Sequence, residues 1–169
     1  MRKIILGLAV SLDGFIEGPN GEYDWCFTDQ DYGLAEFSKR MDALVMGRKT
    51  YEMMKGYDGA SPWSHAKTYV FSSTLPVTPG IELLNGELKE IIKQLKQQNG
   101  KDIWLFGGAD LTMQFINLDL IDEYWLSIHP ILLGAGKSLF QNIANRKKLR
   151  LTDHKVYDTG LVSLKYQPE

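Results

Sequence analysis

Three short stretches of this 169-residue chain place small, hydroxylated or cationic side chains where an apolar strand ends and a helix begins. They are Gly47-Arg48-Lys49-Thr50, Ser72-Ser73-Thr74 and Gly107-Gly108-Ala109. Glycine lets a backbone approach an anion, and the free N–H groups and dipole of a helix start favour negative charge. Each stretch alone is more often only a turn. A dinucleotide needs several such contacts, and in an open α/β sheet they gather beyond the carboxyl ends of the strands. Arg48 and Lys49 at a helix start oppose its dipole unless an anion lies between them, so the set points to a phosphate-bearing ligand.

Other chemistry is excluded by spacing. Gly134-Ala135-Gly136-Lys137-Ser138 ends like a phosphate-binding loop, but the required earlier glycine is replaced by Ile131, so Lys137 is expected to leave nucleotide binding untouched. His65, His129 and His154 stand far apart without ligand spacing and read as structural or surface residues, and no metal site is expected. The single Cys26 forms no internal disulfide and fits a reducing, cytoplasmic setting. A net charge of −2 offers no basic face for nucleic acid, and Arg146, Lys147, Lys148 and Arg150 read as a solvated loop. Residues 1–10 imitate a signal peptide without its cleavage site, and no apolar run approaches the roughly 20 residues of a membrane span.

The elements that must position these residues follow from periodicity. The apolar run 4–10 predicts a central strand covered on both faces, and 11–25 a long glycine-rich loop. Leu34, Phe37 and Met41 predict a helix capped by Asp29 or Asp31. Strands are predicted at 43–46, 68–71 and 103–106, and helices over 48–54, behind an Asn85 cap over 88–95, and from Leu111 to Leu118. Strands at 123–128, 149–157 and 161–166 follow, the last two turning around Asp158-Thr159-Gly160. The whole chain, 1–169, is expected to form one α/β domain: a mostly parallel central sheet between two helical layers, ending in an antiparallel hairpin. Tyr124, Trp125, Leu126 and Ile128 put apolar groups on both faces of one strand, which suggests a face buried in a homodimer.

The motifs resemble a family. Val45-Met46-Gly47-Arg48-Lys49-Thr50-Tyr51-Glu52, Val70-Phe71-Ser72-Ser73 and Phe106-Gly107-Gly108 follow the order and spacing of the dihydrofolate reductase superfamily. Ser11-Leu12-Asp13-Gly14, Leu120-Ile121-Asp122-Glu123 and the 130–136 segment are more similar to its other branch. That branch is the C-terminal reductase domain of the bifunctional riboflavin-biosynthesis deaminase/reductase. The resemblance covers nearly the whole chain. It implies a dihydrofolate reductase-like fold and NADPH as cofactor, with Gly47, Arg48, Lys49 and Thr50 at its phosphates. It also implies Ser72 and Ser73 near the 2′-phosphate, Gly107, Gly108 and Ala109 at the pyrophosphate, and Ala9 and Leu12 beside the nicotinamide. Two cations beside a hydroxyl cluster suit NADPH better than NADH.

The implied reaction is hydride transfer to a C=N bond of a pyrimidine- or pterin-like heterocycle, ranked as the riboflavin-pathway reductase first and dihydrofolate reductase second. A binding module without turnover is the alternative. A carboxylate would help protonate the nitrogen. Asp13 and Asp31 are the candidates, with Asp29 beside them, although helix caps or a turn account for all three. The chain departs from both branches. Ala66 replaces the Arg that clamps a folate tail, Phe106 stands where the riboflavin branch carries Glu, and its Asp-x-Pro stretch gives way to 53–63 with Tyr57 and Trp63. The chain contains no deaminase zinc signature.

Overall fold

In a computed structural model, which describes residues 1–55 and 63–169, ten strands and four helices form among the described residues. Tyr57 lies outside the described residues. The strands are β1 (Ile4–Ser11), β2 (Phe15–Glu17), β3 (Met41–Gly47), β4 (Lys67–Phe71), β5 (Ile81–Leu84), β6 (Asp102–Gly107), β7 (Glu123–His129), β8 (Lys137–Ser138), β9 (Leu149–Val156) and β10 (Val162–Pro168). The helices are α1 (Leu34–Arg40), α2 (Arg48–Lys55), α3 (Leu88–Gln97) and α4 (Ala109–Asn117).

Eight strands share one sheet in the order β5-β4-β3-β6-β1-β7-β10-β9. It is parallel from β5 to β7, and β10 then runs antiparallel to both β7 and β9. The apolar run of β1 sits between β6 and β7, with Ile4, Ile5 and Leu6 fully buried. Period-two alternation divides the core. Ile4, Leu6 and Val10, with Ile103, Leu105, Tyr124 and Leu126, pack beneath Ile92 and Leu95 of α3 and Phe115 of α4. Ile5, Trp104 and Trp125 face the other way, with Phe37 of α1 and Tyr51 of α2. Each face is thus covered by two helices.

The predicted central strand, the strand and helix around Gly47, and the C-terminal hairpin with its turn closed by Gly160 N–H to Tyr157 O at 2.9 Å are all present. Several details differ. Met41 opens β3 rather than closing α1, and the loop 11–25 contains β2, which pairs with β8. An unanticipated β5 adds a parallel edge beside β4. The cap of α3 is Glu87, whose carboxylate accepts the Glu90 N–H at 2.8 Å, rather than Asn85. The side chains of β7 are covered within the chain: Tyr124 and Leu126 lie in one core and Trp125 in the other, so no bare face remains to motivate a dimer there. Among the described residues, no helix is long and apolar enough to cross a membrane, and no cluster of three His, Cys, Asp or Glu could hold a metal.

Candidate functional site

Two adjoining depressions lie near the carboxyl ends of the parallel strands. The first, of about 330 Å³, is lined by Gly47, Arg48, Lys49, Thr50, Gly108 and Ala109, with Phe71, Asp110, Gln114 and Lys137 among its other walls. β3 delivers Gly47 and β6 delivers Gly107, and α2 and α4 start immediately beyond them. No acidic residue occupies the first turn of α2, and Arg48 reaches Glu52 at 2.9 Å along the exposed helix face. Gly107 holds φ +109, a backbone conformation that side chains with a Cβ rarely adopt. A Cβ at Gly108 would approach the Thr50 hydroxyl to 3.2 Å. Two helix starts, a glycine cradle and three cations form a donor set suited to a pyrophosphate.

Of the sequence candidates, Gly47, Arg48, Lys49, Thr50, Gly108 and Ala109 are brought together in this cleft, with Gly107 directly before them. Ser72 and Ser73 follow Phe71, a cleft residue. The Ser72 hydroxyl accepts the N–H groups of Thr74 and Leu75 at 3.2 and 2.9 Å, shaping a turn, while Ser73 is exposed. Lys137, set aside on motif grounds, faces the same cleft as Arg48 because the short β2–β8 pair carries it there; its ammonium lies 3.6 Å from Glu17. Motif spacing could not show this, since Lys137 arrives through tertiary pairing.

The second depression is an aromatic cavity of about 390 Å³. Its floor follows from alternation on three neighbouring strands: Gly7 and Ala9 from β1, Trp104 and Phe106 from β6, and Trp125, Ser127 and His129 from β7. Phe37, Trp63 and the 26–28 and 32–34 segments complete the lining. Phe37 stands edge-on to Trp104 and Trp125, with ring centroids 4.9 and 5.0 Å apart. The indole N–H of Trp104 donates to Gly7 O at 2.7 Å, and that of Trp125 to the Ser163 hydroxyl at 2.8 Å. Buried His129 accepts the Phe27 N–H at Nε2 at 3.1 Å, which leaves Nδ1 to donate to Ser127 O. Burial holds its pKa below the usual 6.5, only partly opposed by the Ser127 carbonyl, so the ring is neutral at pH 7. No sequence motif marks this cavity, whose signal is the small Gly7 and Ala9 opposite alternating aromatics.

Ala9 reaches the cavity, whereas Leu12 stands 64% exposed with its N–H bonded to Ile131 O. Neither candidate acid lines it. Asp13 accepts from the Ser11 hydroxyl at 2.6 Å and from the Leu133 and Gly134 N–H groups at 3.2 and 2.8 Å, pinning its loop to the β7–β8 connection. These bonds, the Ser11 hydroxyl foremost, hold its carboxyl below the usual 3.8. The N-cap position of α1 is Gly33 rather than Asp29 or Asp31, although Asp31, two residues before it, accepts the first-turn Ala35 N–H at 2.8 Å, and Asp29 accepts the Tyr32 hydroxyl at 2.7 Å.

Residues 2–163 match the family model of the RibD C-terminal domain. YyaP, an uncharacterised protein of Bacillus subtilis, is 42% identical over 177 aligned positions, covering 98% of this chain and 94% of its own. A candidate riboflavin biosynthesis protein from Shewanella sp. PV-4 superposes with a TM-score of 0.89 at 30% identity, over 100% of this chain and 99% of its own. A dihydrofolate reductase from Enterococcus faecalis, complexed with NADP(H), shares the fold: TM-score 0.73, 17% identity, 99% of this chain and 96% of its own.

Proposed function

The chain belongs to the RibD C-terminal domain family, and on that premise we propose that it is an NADPH-dependent reductase of a pyrimidine- or pterin-like heterocycle. Within that class the riboflavin-pathway reductase is the nearer relation and dihydrofolate reductase the second. One observation carries the reading: the cationic, glycine-lined cleft and the aromatic cavity meet on β6, where Phe106 lines the cavity and Gly108, two residues on, lines the cleft. A ligand with phosphates in one can reach a ring in the other.

When bound, NADPH supplies a hydride to the carbon of a C=N bond. The chain's own part is positioning. Arg48, Lys49 and Lys137 with the starts of α2 and α4 hold phosphates, the Ser72-Ser73 turn receives the 2′-phosphate, and small Ala9 admits close stacking of two rings. Among the described residues, the Thr28 and Ser127 hydroxyls have no intramolecular partner and are placed to pass a solvent proton to the substrate nitrogen.

The test is loss of NADPH absorbance with dihydrofolate, dihydropterins and aminouracil intermediates, beside a calorimetric titration of NADPH alone. Turnover with any of them supports the reductase. NADPH binding without turnover favours a binding module, a reading consistent with a cavity that no carboxylate lines among the described residues. Absence of NADPH binding removes both.

A further inference from the structure

We propose that the depression between the end of α4 and residues 140–149 is a second ligand site, which takes a small apolar carboxylate. One ring or branched chain lies on Ile116, Phe140, Ile143 and Leu149, with the carboxylate between the Tyr124 hydroxyl and the Arg146 guanidinium. The site is independent of the reductase reading. Its volume is about 410 Å³, within the range of small-molecule pockets, and it is remote from the cofactor cleft. Ala109, at the start of α4, lines that cleft, whereas Ile116 lies near the other end of the helix, about 10 Å further along. Tyr124 stands near the start of β7 and packs in the α3–α4 core, on the opposite sheet face from Trp125 and the aromatic cavity.

Three features build the site. The first is an unused donor. Tyr124 is 4% exposed, and its hydroxyl has no hydrogen-bond partner among the described residues. Every wholly buried side-chain nitrogen and oxygen among them is satisfied, so this oxygen is one that meets the open depression. Burial, with Asp119 nearby, pushes its pKa up to about 12, which keeps the phenol a donor throughout the neutral range. The second is an unused cation. Of the basic run Arg146, Lys147, Lys148 and Arg150, the first two line this wall rather than only a solvated loop. Lys147 holds Asp119 at 2.6 Å and neutralises it, whereas Arg146 is exposed and forms no ion pair among the described residues. The third is a wall fixed from behind. The Asn117 side chain at the end of α4 accepts the Ala144 N–H at 3.0 Å and donates to Asn142 O at 3.2 Å. These bonds hold the segment in place while Phe140 and Ile143 stay 42% and 38% exposed.

An apolar floor with one free guanidinium and one phenol O–H selects an anion with an apolar body. A guanidinium binds a carboxylate through two parallel N–H···O bonds, and the phenol supplies a third donor. A cation would face Arg146 and Lys147, and an uncharged ring would leave the guanidinium without a partner. The negative end of the α4 dipole opposes an anion beside Ile116. The last carbonyls of α4, those of Gln114, Phe115 and Ile116, already accept the N–H groups of Leu118, Leu120 and Asp119. The carboxylate therefore belongs at Arg146 and the apolar part against α4.

Phenylpropionate and its uncharged counterpart phenylpropanamide test the proposal on the intact chain, with binding read from the chemical shifts of backbone amides around Ile116, Tyr124 and residues 143–149. The acid should bind with a Kd below about 1 mM, and the amide about tenfold more weakly. Arg146→Gln should erase that difference. Tyr124→Phe should weaken the acid about threefold to tenfold and leave the melting temperature unchanged, because no internal hydrogen bond is lost. Asn117→Ala, which releases the wall, should weaken both ligands. Absence of saturable binding, equal affinities for acid and amide, or an acid affinity that Arg146→Gln leaves intact each overturns the proposal. Displacement of phenylpropionate by NADPH places it in the cofactor cleft and overturns it too. So does a two-chain mass that Ile143→Lys reduces to one chain, which assigns the depression to a second copy.

Discussion

Arg48 and Lys137 show what single residues disclose and conceal. Arg48 was legible because its neighbours in sequence are its neighbours in the cleft. Lys137 was not, because it reaches the cleft across a two-strand pairing between segments about 120 residues apart. Arg48→Ala should weaken NADPH about ten- to a hundredfold by removing a charge-assisted bond, and NADH much less. Lys137→Ala should cost NADPH only about fivefold, since the side chain is 38% exposed and its ammonium is shared with Glu17. Calorimetry with both cofactors checks both values, and an unaffected Lys137→Ala would return that residue to a purely local pairing with Glu17. Asp13 is the converse case. Its chemistry suggested a proton donor, yet its partners Leu133 and Gly134 make it a loop pin. Its pKa is lowered, so the pin holds above the usual 3.8 and is lost only as pH falls through the depressed value. Asp13→Ala should therefore speed amide exchange at Leu133 and Gly134, while Asp13→Asn leaves the acid limb of the pH–rate profile where it was.

At the scale of elements, what could be read was whatever had enough residues to show a period. β1, β3, β6, β7 and the hairpin β9–β10 did, and the motifs at their ends came with them. β2 and β8 are three and two residues long, and β5 only four, too short for alternation to stand out from a loop. The aromatic cavity was hidden for another reason: its lining is one residue in two from three different strands, and only the sheet order brings those residues side by side. Gly7 shows how closely they fit, since a Cβ there would lie 2.3 Å from Phe37 Cζ. Gly7→Ala should lower stability by about 1–3 kcal/mol and weaken ring binding, and Phe37→Leu in the same chain should recover part of the melting temperature. His129 joins the 26–28 segment to β7 as a neutral ring. Because its folded pKa lies below the unfolded 6.5, its contribution is complete above that value and declines as pH falls toward the folded one. The melting temperature should drop on acidification below about pH 6.5, and His129→Asn should flatten that slope.

For the whole molecule, charge is distributed rather than abundant: a net −2 hides a cleft that gathers Arg48, Lys49 and Lys137, which no composition value reports. Association is similarly concealed. The apolar residues on both faces of β7 are what any central strand of a two-sided sheet displays, and sequence cannot say whether the cover is the chain's own helices or a second copy. Here it is the chain's own, with Phe115 over one face and Phe37 over the other. Among the described residues, one surface open to a second copy is β9, an eight-residue edge strand along which every residue after Leu149 is exposed, Leu151 at 47% and Val156 at 66%. Long uncovered edges present unpaired N–H and C=O groups to any strand that can align with them. We propose that two copies pair through β9, and light scattering at micromolar concentration should then return the mass of two chains. Replacing both Leu151 and Val156 by Lys should return the mass of one chain and leave NADPH affinity intact, because β9 is remote in sheet order from the cleft on β3 and β6. A one-chain mass for the unaltered protein ends the proposal, and a two-chain mass that survives both lysines moves the interface off this edge.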